Sequence, residues 1–247
     1  RMLDAHYRLS LLPRTPEAVR QGWAATLTSL GMIDAFRAKH REASPEAAVR
    51  FLAFEREHPG SILSCLRTAR ENARAVRGTV PSEVWETLNS TWLEARSFGR
   101  AGGEPPLGEF LEWVKYRAHL TRGVIVGTML RDEAYFFSRI GTFLERADAT
   151  TRLLESRWRD PGDGGERPAS EASEWAVLLR ALSAFEVYRK VYRDSVTPMQ
   201  VTELLLLNDS MPGSVHRCLS DLYGNLREVR NTQSRETERL AGEMHAQ

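Results

Sequence analysis

Apolar residues recur at three- and four-residue intervals along almost the whole chain, and β-branched runs are short. This spacing is typical of amphipathic α-helices. A hydroxyl residue followed by proline marks three helix starts, at Thr15-Pro16, Ser44-Pro45 and Thr197-Pro198. The pattern predicts an all-α helical bundle with no β-sheet. Its helices are expected at roughly 2–11, 16–41, 45–57, 61–77, 81–97, 107–128, 130–158, 171–195, 198–207 and 214–243.

The chain also repeats itself. Residues 44–77 align without a gap on residues 197–230, with eleven of thirty-four positions identical. The shared positions include a Pro-Gly-Ser turn and one cysteine in each segment, and Trp23 matches Trp175 further upstream. We therefore predict an internal tandem duplication, with a first repeat at 1–100 and a second at 101–247. The two are expected to pack as one all-α unit with a mobile, Gly- and Pro-rich linker at 159–170.

The first copy begins differently from the second. Residues 1–4 (RMLD) resemble residues 152–155 (RLLE), which lie deep inside a predicted helix. We therefore expect the first copy's equivalent of residues 131–151 to be missing from this sequence.

Composition narrows the classes of function. The chain has 34 basic and 33 acidic residues, so no overall field favours nucleic acid or an anionic membrane. Its two cysteines form no CxxC pair and its six histidines are scattered, so no metal site or disulfide framework is predicted. No apolar run approaches the roughly 18 residues of a membrane span, and a cytoplasmic protein is expected. The sequence has no phosphate-loop, dinucleotide-binding or HExxH motif.

The predicted helix 61–77 carries the first candidate cluster. On a helical wheel Ile62, Leu66, Ala69, Ala73 and Val76 form a core face. Cys65 and Asn72 lie at one border of that face and recur as Cys218 and Asn225, which favours a scaffold role for them. Arg70, Arg74 and Arg77 lie at the opposite border, with Glu71 further round.

The two copies differ within this cluster. The second copy has Tyr223 and Gly224 where the first has Arg70 and Glu71. Such a difference is expected if a single site spans two unequal halves. Arginine forks match carboxylate and phosphate groups bidentately, so the cluster is a candidate for binding either group.

Residues 131–155 carry the second candidate cluster. Glu133 is expected in the middle of a broad apolar face, where a carboxylate is tolerated in a helix's first turn or beside an arginine of another helix. Two polar stacks flank that face. One contains Asp132, Arg139 and Arg146, and the other contains Glu145, Asp148 and Arg152. Either they are solvated intrahelical ion pairs or they belong to a buried polar site.

Three runs together resemble the bacterial alpha-E family, which is named for its helical content and its Glu-Arg motif, here Glu145-Arg146. They are residues 69–89 (ARENARAVRGTVPSEVWETLN), residues 131–155 (RDEAYFFSRIGTFLERADATTRLLE) and residues 178–219, and they span most of the chain in order. Members usually begin with a further Glu-Arg helix, which this sequence lacks. Mapped by the resemblance, the family's motif positions are Arg70, Glu71, Asn72, Arg74, Asp132, Glu133, Glu145, Arg146 and Asp148.

The resemblance also implies partners. Alpha-E proteins are typically encoded beside or fused to circularly permuted ATP-grasp ligases, often with transglutaminase-like peptidases. It implies a helical partner of an amidoligase that acts on a peptide or amino-acid substrate, with ATP bound by the ligase and no cofactor on this chain. Two alternatives stay open. The chain is itself an enzyme with Glu71 or Glu133 as general base, or it is a purely structural scaffold.

Overall fold

The computed structural model describes residues 1–40, 44–98, 105–159, 168–231 and 234–246. Helices make up most of these ranges, and none of the described residues forms a β-strand. The all-α prediction is confirmed. The helices are α1 Met2–Ser10, α2 Pro16–Ser29, α3 Ile33–Arg37, α4 Pro45–Val49, α5 Ile62–Ala75, α6 Ser82–Ala95, α7 Leu107–Thr128, α8 Glu133–Arg159, α9 Pro168–Ala181, α10 Phe185–Tyr192, α11 Pro198–Leu207, α12 Val215–Glu228 and α13 Arg235–Ala246. A π-helical turn, Arg50–Phe54, follows α4.

Three of the predicted long helices were wrong, because the structure has two helices in each of those ranges. The prediction at 16–41 is divided after α2, where Gly31 has a φ of 68° and the N–H of Met32 bonds the carbonyl of Leu27 at 2.8 Å. The prediction at 171–195 is divided the same way at Ser183, whose φ is 57°. A left-handed residue after a helix ends it by satisfying its last carbonyls. The prediction at 214–243 is divided between α12 and α13.

The described residues pack as two compact units. Unit 1 contains Arg1–Met32 and Phe136–Gln247, and unit 2 contains Ile33–Tyr135. These units are defined by which residues pack together. The boundary predicted near residue 100 was instead defined by sequence similarity, so the units do not test it and the division into two repeats stays a prediction. Of the predicted linker at 159–170, residues 160–167 lie outside the described ranges. Residues 168–170 begin α9.

Unit 1 has a continuous apolar core. Trp175, Leu179 and Tyr188 are buried at its centre, with Leu204 and Leu205 of α11 against them. Ala5 of α1 and Leu153 of α8 belong to the same cluster. The Tyr188 hydroxyl lies within hydrogen-bonding distance of Oε1 of Gln200 and the carbonyl of Ser195, and it accepts the N–H of Thr197, so its polar end is satisfied although the ring is fully buried.

The core of unit 2 is aromatic. Phe36 meets Phe51 edge to face at 5.3 Å between ring centroids, and His58 stacks on Phe51 at 4.1 Å. Phe110 of α7 packs on Phe54 at 4.7 Å. These rings pack α3 and α7 against the π-helical turn that follows α4.

The two similar segments have the same local structure. α5 and α12 are both fourteen residues long, and each begins after a serine whose hydroxyl accepts the third helical N–H, at 3.2 Å for Ser61 and 3.1 Å for Ser214. Both serines also donate to the carbonyl six residues earlier. These caps are set by nearby residues. An origin by duplication stays a hypothesis.

Within the described ranges, no helix combines the length and the apolar character needed to cross a lipid bilayer.

Candidate functional site

Arg70 is the most constrained arginine of the first predicted cluster. Its Nε donates to Oδ1 of Asn89 on α6 at 2.8 Å, and its guanidinium forms an ion pair with Glu71. The same guanidinium lies over the ring of Trp85, 5.5 Å from the centroid. Arg77 lies over the same ring at 5.1 Å. The face formed by α5 and α6 therefore presents an arginine whose orientation is fixed in advance.

The neighbours of Arg70 are open to solvent. Glu71 keeps 45% of its side chain exposed and Arg74 keeps 66%. Asn72 is also exposed, although it was predicted at the core border. That prediction was wrong, because within unit 2 no described helix covers that side of α5. We call Arg70, Glu71, Arg74, Arg77, Trp85 and Asn89 the α5–α6 arginine face.

The start of α8 holds the predicted acidic pair. Asp132 precedes the helix, and its Oδ1 accepts the N–H of Tyr135 at 3.2 Å, so it is the N-cap. Glu133 is exposed in the first turn, where the helix dipole favours a carboxylate. The alternative that places Glu133 in a helix's first turn is confirmed. Its predicted position in the middle of the apolar face was wrong. No hydrogen bond or ion pair between described residues joins Asp132 or Glu133 to Arg70 or Glu71.

The apolar face predicted for α8 is half covered. Phe143 and Ala147 are buried against Cys218 of α12. Arg139 places its guanidinium over the Phe143 ring, 4.5 Å from the centroid. By contrast, Phe137 and Leu144 are 58% and 57% exposed.

The arginine of the Glu-Arg motif joins α8 to the turn before α12. Arg146 donates to the carbonyl oxygen of Pro212 at 2.8 Å, and Thr150, one helical turn further on, donates to that of Gly213 at 3.0 Å. Glu145 is exposed and makes no hydrogen bond or ion pair with a described residue. Arg146 therefore contributes to packing within unit 1.

Cys218 lies beside this contact and is fully buried. Burial raises the pKa of the Cys218 thiol, although the guanidinium groups of Arg146 and Arg1 act in the opposite direction. A buried thiol with a raised pKa has little thiolate character. Its environment therefore favours a structural role over a nucleophilic one.

Asp148, the last of the predicted motif residues, pairs with Arg152 on the same helix. Both carboxylate oxygens of Asp148 accept from Nε of Arg152, at 2.9 and 2.8 Å, as an (i, i+4) pair. Another nitrogen of Arg152 donates to the carbonyl of Ser29 at the end of α2, at 2.9 Å. The intrahelical ion-pair alternative is confirmed for these two residues, and the pair also directs Arg152 to a neighbouring helix.

Cys65 differs from its counterpart. It is exposed, whereas Cys218 is buried, even though each sulfur lies near the carbonyl six residues earlier, at 3.8 and 3.7 Å. The prediction that both cysteines lie at a core border was wrong for Cys65. In unit 1 α8 covers the cysteine, and no described helix of unit 2 covers the matching position.

Sequence reasoning missed a buried charged cluster in unit 1. Glu174 of α9 forms ion pairs with Arg14 through one carboxylate oxygen and with Arg157 of α8 through the other. Glu174 and Arg157 keep only 8% and 7% of their side chains exposed. One signal was present, because the repeat alignment places Gly22 opposite Glu174. The carboxylate is thus found in one of the two similar segments alone.

These geometries limit the available chemistry. Glu71 and Glu133, the two candidate general bases, are both exposed, whereas a base with a raised pKa requires a desolvated pocket. Among the described residues, no three His, Cys, Asp or Glu side chains converge to hold a metal ion. The arrangement is better suited to binding than to proton abstraction.

Comparison with known proteins gives one family. No curated protein and no solved structure matches the chain. The model of the Alpha-E family, described as a predicted α-helical domain with a conserved ER motif, matches residues 1–247. The helical structure and the Glu145-Arg146 pair on α8 agree with that description. The chain belongs to the Alpha-E family.

Proposed function

We propose that this chain is a helical binding partner of an ATP-grasp-type amidoligase in the synthesis or modification of peptide-type amide bonds. The α5–α6 arginine face is the surface that binds the ligase or its peptide or amino-acid substrate. ATP is bound by the ligase, and a transglutaminase-like peptidase is a further partner. A cytoplasmic location is part of this proposal, since ligation consumes ATP.

The fixed orientation of Arg70 is the observation that supports the proposal. Asn89, Glu71 and Trp85 hold its guanidinium in place, so less side-chain entropy is lost when a partner binds. The face carries three arginines against one glutamate, which favours an acidic partner surface or a substrate carboxylate. Exposed arginines beside an aromatic ring are frequent hot spots of protein interfaces.

The first alternative, an enzyme acting alone, has less support. Its candidate bases Glu71 and Glu133 are exposed. The second alternative, a scaffold, is favoured by Asp132, Arg146 and Asp148, each of which bonds a group within the chain. We therefore restrict the proposed binding role to the α5–α6 arginine face.

The test is co-purification with the ATP-grasp ligase encoded beside this chain's gene. We expect Arg70→Ala to weaken the complex by about tenfold or more, the usual effect of losing an interface arginine worth at least ~1.4 kcal/mol. Arg74→Ala is expected to make binding less sensitive to salt. Arg20→Ala is the control, because Arg20 is an exposed arginine outside this face that pairs with Glu17 on α2.

Amide-bond formation by the reconstituted pair is the second measurement. Loss of product with Arg70→Ala, with the helical circular dichroism signal retained, is the expected result. Unchanged complex and unchanged product in this variant would refute the assignment of the face. A gene neighbourhood without an ATP-grasp ligase would refute the assignment of the partner.

A further inference from the structure

A small cavity lies in unit 1 between α1, α2, α8 and α9. Its volume is about 50 Å³. The sequence-predicted site residues do not line it. The wall is mainly apolar, and its polar residues are His6, Ser10, Arg14, Trp23, Thr26, Ser156 and Arg157. The cavity is therefore separate from the α5–α6 arginine face, and a ligand bound in it would be independent of the proposed ligase partner.

Trp23 provides an unused donor in this wall. The residue is 2% exposed, and its Nε1 has no acceptor among the described residues. A buried N–H without an acceptor is unfavourable, so such groups usually have a water or ligand partner. Trp175, its counterpart in the repeat, is equally buried and also has no described acceptor for Nε1, but it does not line the cavity.

The cavity wall also contains two arginines. Arg14 and Arg157 line it, and the described wall contains no aspartate or glutamate. Glu174 pairs with both arginines but does not belong to the wall. The Arg14 side chain keeps 18% of its surface exposed, so solvent reaches this group. Trp23 differs from Trp175 because it lines the cavity together with Arg14 and Arg157.

We infer that this cavity binds the carboxylate group of a small organic acid. A planar carboxylate accepts hydrogen bonds from several donors at once, and arginine forks match its geometry. The volume has room for about three or four water molecules, comparable to a carboxylate group with its adjoining carbon. A phosphate group has more oxygens and fits this space less well.

The test is the thermal unfolding midpoint in increasing acetate, with sodium chloride replaced so that ionic strength stays constant. A ligand that binds only the folded state stabilises it by RT ln(1 + [L]/Kd), so the midpoint rises with ligand concentration. We expect acetate to raise the midpoint and acetamide, which has the same shape and no charge, to have no effect. We expect phosphate to raise it less than acetate does.

Two matched variants assign the effect to the cavity. Trp23→Phe removes the donor and keeps a ring, so the acetate concentration needed to reach a given shift should rise by about tenfold, as for a lost hydrogen bond to a charged group. Trp175→Phe, which changes the equivalent tryptophan outside the cavity, should respond to acetate as the unchanged protein does. Arg14→Gln provides a second variant at the cavity wall should Trp23→Phe unfold, and it should weaken the response similarly.

Several results would overturn the inference. The absence of any acetate shift would show that the cavity holds water alone. Equal shifts with acetamide would exclude recognition of charge, and a larger shift with phosphate would exclude a carboxylate. An unchanged acetate response in both Trp23→Phe and Arg14→Gln would place the acetate elsewhere on the protein.

Discussion

The guanidinium of Arg146 lies 2.8 Å from the carbonyl oxygen of Pro212, although 66 residues separate the two in sequence. Since Thr150 donates to the adjacent carbonyl of Gly213, two side chains of α8 hold the turn that starts α12. The arginine of the Glu-Arg motif thus has an identified structural partner, whereas the glutamate next to it faces solvent.

Arg146→Ala should lower the free energy of unfolding by about 1.5–3 kcal/mol, the usual contribution of a hydrogen bond to a charged donor. Urea unfolding followed by circular dichroism measures it. Glu145→Gln is the neighbouring control and should change stability by less than about 0.5 kcal/mol. Equal losses in the two variants would show that the hydrogen bond to Pro212 is not the source of the stability.

The two cysteines should differ in reactivity. A thiol reagent added to the folded protein should modify Cys65, which is exposed, and leave Cys218, which is buried with a raised pKa. Mass spectrometry of the labelled peptides measures both sites. In Cys65→Ser the folded protein should take up no label and the urea-unfolded protein one. Rapid labelling of Cys218 without urea would contradict the packing of α8 over α12.

Glu174→Gln should be strongly destabilising. It leaves the buried guanidinium of Arg157 without its carboxylate partner, and loss of one member of a buried ion pair costs about 3 kcal/mol or more. Urea unfolding is again the measurement. Glu17→Gln removes an exposed (i, i+3) partner of Arg20 and should leave the unfolding midpoint unchanged. A comparably small effect of Glu174→Gln would show that the buried charged cluster contributes little to stability.

Stability should decrease on the acid side of neutrality because of His58. Burial lowers the pKa of His58 below its ordinary value of 6.5, so the unfolded chain takes up the proton more readily than the folded protein. The contribution of His58 to stability is therefore fully present above about pH 6.5. It is lost as the pH falls from there to the lowered pKa of the folded state. His58→Phe should flatten this part of the curve of unfolding free energy against pH.

Glu55 affects a lower window, because pairing with Lys39 lowers the pKa of its carboxyl below 4.5. Its contribution is present above pH 4.5 and is lost as the pH falls through the lowered value. A slope near pH 6 that persists in His58→Phe would assign the effect to another group.

The sequence alone determined the helical class and many helix limits. The predictions at 107–128 and 198–207 coincide with α7 and α11. Capping residues act on N–H groups three positions away, so Thr15, Ser44 and Thr197 were recognisable without any tertiary information. The end of α9 was missed because a left-handed serine such as Ser183 has no distinctive pattern in sequence, whereas Gly31 after α2 is a recognisable stop signal that the prediction at 16–41 overlooked.

Only the tertiary structure decided what surrounds each side chain. Cys65 and Cys218 occupy matching positions of matching helices, yet one is exposed and the other is covered by α8. Likewise, the partners of Arg146 and Glu174 come from segments distant in sequence. Local propensity and capping depend on residues within one helical turn, whereas burial and ion pairing depend on which helices pack together. Sequence similarity identified matching positions, and packing gave them different surroundings.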